Sequence, residues 1–426
     1  MDTQRLILFF IFGFSLLMLW DAWEKENRPK PAPQVQQPAS TAVVPTPAGK
    51  PAAQPAAAAA PQRAPNGGVP GAAAPAAKGE TIIVRTDLVV AEIDTLGATL
   101  KRIELLKYKE AKDSAKNLVL LGSEHNYEAQ SGLTGEGGPN HRTLWSAQPG
   151  DTTLASGQDA LEVRLTAQGG DGLSVTKVFR FKRDSYVIDV AFEIRNQGAA
   201  PVTPFAYFQL THDGKTSADA NAVASTFGAQ SFNGYAIYTE EKKFQKVELT
   251  DIDKGKADFV KQSSDGWLAY VQHYFVAAWL PAAKIAREYA VEKRPDGIYA
   301  GRSLISTGPI AAGAGATLSV PLYAGPQEQS RLAAFAPGFD LVVDYGWLTI
   351  IAWPLFWLLE KFHVLSGNWG VAIILLTVLI KLVFFPLSAA SYKSMAKMKL
   401  ITPRMTKIRE MYEHDRAKMN QAMMEL

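Results

Sequence analysis

One lysine, Lys381, sits inside an apolar run of 22 residues, Trp369–Ala390, which reads WGVAIILLTVLIKLVFFPLSAA. A charge in the middle of such a run costs at least ~2.5 kcal/mol on insertion scales. Apolar residues would fill the position at no such cost, so the lysine points to a use. Two readings stand: it lines a polar path between helices, or it snorkels to the surface along the roughly 13 Å that separate it from Ala390. Elsewhere the chemistry is sparse. The chain has no cysteine, which excludes disulfides, zinc thiolates and thiol nucleophiles. The six histidines, His125, His141, His212, His273, His363 and His414, fall in no motif with a carboxylate. Sugar chemistry, which needs a histidine and a carboxylate converging on one substrate, would have to come from them. No phosphate loop, metal-ligand spacing or Ser/His/Asp set stands out. The expectation is therefore a protein that is not an enzyme, with no catalytic residue, no cofactor and no metal. The net charge of +3 over 426 residues gives no nucleic-acid signature, and DNA is not an expected partner.

The elements that must position Lys381 follow from length and pattern. Twenty-two residues make roughly 33 Å of helix, enough to cross a bilayer. Lys393, Lys397, Lys399, Arg404, Lys407 and Arg409 follow the span, whereas Lys361 is the nearby cation before it. An excess of Lys and Arg marks the cytoplasmic side. An earlier run, Leu6–Trp20 (LILFFIFGFSLLMLW), has no small-residue cleavage site after it and reads as an uncleaved anchor over 6–23. Two spans leave residues 1–5 and 391–426 in the cytoplasm and 24–365 outside, in the periplasm of a bacterium with an inner membrane. Residues 31–80 hold 11 Pro and 17 Ala and read, within 24–80, as an extended spacer.

From Thr81 the pattern turns to period two. Leu161, Val163 and Leu165 alternate with Glu162, Arg164 and Thr166, and Ile188, Val190, Phe192 and Ile194 alternate with polar neighbours. Further strand-like runs are Leu88–Ile93, Thr99–Leu105, Val175–Phe181, Phe205–Thr211, Trp267–Leu280, Ile298–Ser306 and Thr317–Tyr323. Short strands between Gly, Asp and Asn turns argue a large all-β sandwich over 81–340, closed by a short helix at Gln327–Ala336. Over 341–365, the apolar run Trp347–Leu359 is too short to span and contains Pro354. Trp347, Trp353, Trp357 and Trp369 suit anchors at the headgroup layer. The last segment, 391–426, spaces Met398, Ile401, Met405, Ile408 and Tyr412 in heptad steps. Asp415 breaks that seam, so Glu413–Asp415 reads as the turn of a helical hairpin whose second helix stops at Leu426, as in a truncated chain. Its basic surface would dock nascent chains, a ribosome or a targeting receptor, or else face solvent and lipid headgroups. Its Met residues would accept varied apolar partners or simply pack the seam.

Tyr345-Gly346-Trp347, Asn368-Trp369-Gly370, Phe385-Pro386-Leu387 and Tyr392-Lys393-Ser394-Met395-Ala396-Lys397-Met398 together resemble the YidC/Oxa family of membrane protein insertases, in its Gram-negative form. So do Gln130-Ser131-Gly132-Leu133-Thr134-Gly135, Gly266-Trp267 through Trp279-Leu280-Pro281, and Gly325-Pro326. The resemblance implies a multi-domain membrane protein: transmembrane helices plus a periplasmic β-supersandwich of galactose-mutarotase-like fold. It also implies an interfacial helix and a membrane core of five helices, of which this chain carries the first. The core would enclose a hydrophilic groove open to the cytoplasm, with Lys381 at a position where the family usually has arginine. Lysine keeps the charge and loses the planar five-donor fork. Expected partners are nascent membrane proteins, the Sec translocase and its accessory subunits, and membrane lipids. The rival expectation is a membrane-tethered carbohydrate-binding or scaffold module.

Overall fold

The computed structural model describes residues 78–111, 113–135, 137–215, 232–412, 420–422 and 424. The expected anchor at 6–23, most of the spacer at 24–80 and the hairpin turn at Glu413–Asp415 lie outside the described residues. The chain divides into two compact units, one ending at Asp344 and the next opening at Tyr345.

The first unit is a sandwich of two nine-stranded antiparallel sheets. One sheet runs through Thr81–Arg85, Val89–Asp94, Thr99–Lys109, Glu128–Thr134, Phe205–His212, Tyr299–Ser306, Arg287–Lys293 and Gln262–Ser263, with Asn117–Leu121 paired to Thr99–Lys109. The other runs through Lys243–Glu248, Gly234–Thr239, Trp267–Val271, Phe275–Trp279, Gly315–Pro326, Val187–Asn196, Leu173–Lys182, Ala160–Gln168 and Ser146–Ala147. The alternating strands pair in the register that their pattern requires. Leu161 faces Phe181 and Val163 faces Phe179 across one ladder, and Val190 faces Val320 across another. A slip of one residue would turn each of these sets to solvent. Phe208 of the first sheet meets Phe192 and Trp279 of the second, with ring centroids 5.8 and 5.1 Å apart, so one aromatic core joins the layers.

Two expectations are corrected. Trp267–Leu280 is a hairpin, Trp267–Val271 and Phe275–Trp279, turning at Gln272–Tyr274. Nearly every residue of both strands is buried, so no polar alternation marks the break. The closing helix at Gln327–Ala336 shrinks to one turn. The α-helices described are Leu249–Asp253 (α1), Gln329–Leu332 (α2), Thr349–Ser366 (α3) and Trp369–Met411 (α4). After α2 the chain makes successive turns through Phe339–Val342, and buried Phe339 and Val342 hold these residues in the β unit.

Two buried cations brace the sandwich. Lys177 is fully buried, and its Nζ donates to the carbonyls of Ala98 at 2.6 Å and Ser131 at 3.0 Å, across from its own sheet. Arg287, 2% exposed, donates to the carbonyls of Ile285, Gly266, Pro281, Ser264 and Ala282. It thereby ties the loop before Trp267 to the loop after Trp279. Gly266 has φ +88°, and a Cβ there would lie 1.8 Å from the Tyr238 carbonyl, so no other residue fits beside that clamp.

Candidate functional site

The second unit is built around a corner. α3 ends where Gly367 takes the left-handed conformation at φ 64° and its N–H reaches the His363 carbonyl at 2.7 Å. That geometry is cheap for glycine alone. Asn368 then caps α4, with its Oδ1 accepting from the N–H groups of Gly370 at 2.8 Å and Val371 at 3.3 Å. His363 stacks on Trp369 across the corner, with centroids 3.9 Å apart.

α4 is continuous for 43 residues, about 64 Å by its rise. It passes through Pro386 and Pro403, each of which removes one rung of the hydrogen-bond ladder. It is the helix among the described residues that is long and apolar enough to cross a membrane. Ile374, Leu382, Val383, Phe385 and Leu387 are each more than 60% exposed in this chain. So much apolar surface is not kept in water. Lys381 is exposed among these side chains.

Thr377, Lys381 and Ser388 are the polar side chains between Trp369 and Ala390. Steps of four and seven residues place all three within about 40° of arc on one face. Thr377 Oγ1 donates to the Ile373 carbonyl at 2.8 Å, so its own polarity is partly met within the helix. Thr377 and Ser388 were not singled out from the sequence, although the signal was there in the spacing.

The six downstream cations are all exposed on α4, but they do not form one surface. Lys393, Lys397, Arg404 and Lys407 share an arc of about 80°, while Lys399 and Arg409 point elsewhere. Met398, Met405, Ile408 and Tyr412, all heptad positions, are half-buried amid exposed neighbours, about a quarter turn from the four clustered cations. Beside them a depression of about 370 Å³ is lined by Leu387, Ala390, Ser391, Ser394, Met395 and Met398, where small side chains let a neighbour approach closely.

On α3, exposed Ile350, Trp353, Trp357 and Val364 recur at steps of three, four and seven and make one apolar stripe. Lys361 Nζ lies 5.6 Å from the Trp357 ring centroid. Trp347 falls in the single turn Gly346–Leu348 ahead of α3, and Trp369 opens α4 half-exposed.

In the β unit, folding brings together histidines that sequence had left unassigned. His125 and His212 stack at 5.6 Å beside Asp213, whose Oδ1 is 3.4 Å from His125 Nδ1 and 3.5 Å from His212 Nδ1. His212 is engaged within the fold rather than aimed at solvent. His212 Nδ1 accepts from the Gly214 N–H at 2.9 Å and lies 3.0 Å from the Tyr270 hydroxyl. Burial lowers the His212 pKa to about 4, so it is neutral near pH 7. His141 is likewise lowered by burial to about 4 and is held 2.5 Å from the Tyr207 hydroxyl through Nδ1. Among the described residues, no group of three or more His, Asp or Glu is arranged to hold a metal.

A large two-sheet β unit followed by a membrane-length helix with a one-sided polar face defines a membrane protein with an extramembrane β domain. The family described as "YidC periplasmic domain" matches residues 81–358, and that described as "60Kd inner membrane protein" matches 361–426. A protein of Nitrosospira multiformis called membrane protein insertase YidC is 49% identical over the whole of this chain, which covers 76% of that protein. One of the same name from Aromatoleum aromaticum is 49% identical with the same coverage, and one from Dechloromonas aromatica is 47% identical, with 75% covered. The chain belongs to the YidC family of membrane protein insertases. Among solved structures, a galactose mutarotase-like protein from Lactobacillus casei matches 57% of this chain over its full length, at 11% identity and a TM-score of 0.39.

Proposed function

We propose that the chain inserts membrane proteins by presenting the Thr377–Lys381–Ser388 face of α4 to hydrophilic client segments inside the bilayer. The carrying observation is that the three polar residues of the span share one face. A lysine that merely snorkels needs no polar neighbours at four and seven residues. A water-lined groove does, because each polar group facing lipid without a partner costs several kcal/mol. In this reading a client's polar segment enters the groove from the cytoplasm, drawn by Lys381 and groove water. This shortens the path over which its polar groups go unsolvated. The client's apolar segment then partitions into lipid along the greasy faces of α4, without nucleotide hydrolysis, and the membrane potential can add a pull on acidic tails. The lysine acts as a solvated point charge rather than a bidentate clamp.

The proposed topology places the β unit in the periplasm and residues 391–426 in the cytoplasm of a multi-pass inner-membrane protein. It puts α3 in the headgroup layer, anchored by Trp347, Trp353, Trp357 and Trp369. The stripe Lys393, Lys397, Arg404 and Lys407 docks a ribosome or targeting receptor, and the Sec translocase and its accessory subunits are working partners. The relatives are named as insertases, which supports this reading over the rival carbohydrate-binding or scaffold module.

The test replaces Lys381 by Ala and by Glu in the complete gene product, in cells depleted of their own insertase. Insertion of a short single-span client is followed by protease accessibility. Loss with Lys381→Glu and partial loss with Lys381→Ala are expected. Undiminished insertion in both would overturn the role given to Lys381.

A further inference from the structure

Between Arg331 and Asp340 the chain carries no charge, reading Leu332-Ala333-Ala334-Phe335-Ala336-Pro337-Gly338-Phe339. This stretch is held in place. Leu332, Phe339 and Val342 are buried, the Phe339 ring lies 5.3 Å from Tyr323, and the Trp267 indole N–H donates to the Pro337 carbonyl at 3.0 Å. Consecutive turns close through Phe335 N–H to Leu332 and Phe339 N–H to Ala336. With the anchors inside, Ala333, Ala334, Phe335, Pro337 and Leu341 remain exposed. An apolar surface contiguous in the chain, broken by the half-buried Asp340 before Leu341, marks a contact site.

Chain length says what covers it. Leu341 is eight residues from Thr349, where α3 begins, and a chain of eight residues reaches at most roughly 28 Å. α3 opens with Ile350, Ile351 and Trp353, all exposed and apolar. Covalent connection therefore keeps Leu341 within roughly 28 Å of the start of α3, about the hydrocarbon thickness of one bilayer. Gly315–Pro326 is a twelve-residue strand, about 36 Å long, that ends next to this segment and begins at the turn containing Ala312.

We propose that the Ala333–Leu341 segment is a lipid-contact surface, which seats the β unit on the bilayer by immersing Phe335 and Leu341 among headgroups. The surface has no basic cluster of its own, so the contact is apolar insertion rather than attraction to anionic lipid. The inference rests on the reading that the chain enters the membrane through α3 and α4.

The chain is free of cysteine, so single labelling sites are clean. Full chains carrying Ala334→Cys, Ala312→Cys or Ile374→Cys would be labelled with an environment-sensitive fluorophore. They would then be reconstituted in phosphatidylethanolamine–phosphatidylglycerol vesicles containing headgroup- or chain-nitroxide lipid. The expected result is several-fold stronger quenching by headgroup nitroxide at 334 than at 312, reduced when Phe335 and Leu341 are both changed to Asp. Equal, weak quenching at 334 and 312 overturns the inference. A label at 334 shielded from aqueous iodide yet unquenched by lipid also overturns it, because protein then covers the surface. The label at 374 reports the span separately: if chain nitroxide fails to quench it, the membrane reading itself has failed.

Discussion

Two lysines in this chain are kept from water or placed in an apolar run, and they are solved differently. Lys177 lies in the β core with no carboxylate hydrogen-bonded to its ammonium. Desolvation pulls its pKa well below the ordinary lysine value. What holds it is the carbonyls of Ala98 and Ser131, a longer contact to Gly97 at 3.4 Å, and the faces of Phe179, Phe192 and Trp145 at 5.3, 5.5 and 5.8 Å. The ammonium replaces three water contacts for carbonyls that the turn at Gly97–Ala98 leaves pointing inward. Lys177→Ala is expected to lower stability by about 3–5 kcal/mol, through the cavity and the orphaned carbonyls. Lys177→Met keeps the volume and loses the desolvation burden, so it should cost about half as much. Urea unfolding followed by tryptophan fluorescence measures both, and a Met variant as weak as the Ala variant would show that the carbonyl contacts, not packing, dominate. Lys381 has no such fixed oxygens around it on α4. Its stabilisation must come from what faces the helix, which is why its role is argued from the company it keeps along one face.

At the scale of elements, the proposed docking surface is a matter of helical phase. Lys393, Lys397, Arg404 and Lys407 can meet one acidic partner together, and Lys399 and Arg409 cannot join them without unwinding the helix. Changing the four clustered cations to Gln should weaken co-sedimentation with ribosomes by tenfold or more at low salt. Changing Lys399 and Arg409 should cost less than about 1.5-fold, against the roughly threefold that an equal share of a tenfold loss would give. Equal losses per charge removed would mean that net charge, not a surface, is read. The elements differ in how far the sequence revealed them. Ala160–Gln168 and Val187–Asn196 could be read because one face is buried and the other wet, which leaves a period of two. Gly234–Thr239 and the hairpin Trp267–Trp279 are covered on both faces, so they carry no alternation, and the hairpin looked like one long strand. Lys177 could have been found as a cation on the inward parity between Val175 and Phe179. Arg287 sits opposite Ile305 in the ladder, and nothing local announces that pairing before the fold is known. In α4 the span and its lysine were legible from composition, and the cations from charge. The shared face of Thr377, Lys381 and Ser388 required phase, and the split among the six cations required it too. The closing helix was overdrawn because Ala-rich sequence favours helix, while Pro337 and Gly338 impose turns.

For the molecule as a whole, the β unit stores an acid sensitivity that its surface charge does not suggest. His212 is buried and His141 half-buried, both in the neutral form, each lowered to about 4 by desolvation against an unfolded value near 6.5. Arg142, Arg294 and Lys177 add to the shift at His141. At His212 the Asp213 carboxylate opposes burial and His125 reinforces it. A histidine whose folded pKa lies below its unfolded one binds more protons when unfolded. Stability is therefore whole above pH 6.5 and is lost as pH falls from 6.5 towards 4, by up to about 3 kcal/mol per histidine. Carboxylates act in a different window. Glu104 has a lowered pKa, the desolvation that would raise it being outweighed by hydrogen bonds from Asn117 and Arg102, so its contribution persists until pH drops below the ordinary glutamate range. Urea midpoints of the full chain in detergent, followed by a β-unit signal, should therefore fall steadily between pH 6.5 and 4.5. In His141→Gln/His212→Gln the midpoint should start lower at pH 7.5, because the Tyr207 and Tyr270 contacts are impaired, and should then stay nearly flat over the same interval. A wild-type midpoint that holds constant down to pH 4.5 would mean that acid opens neither site. The imidazoles would then have to take their protons in place, with Asp213 and the neighbouring hydroxyls accommodating the charge.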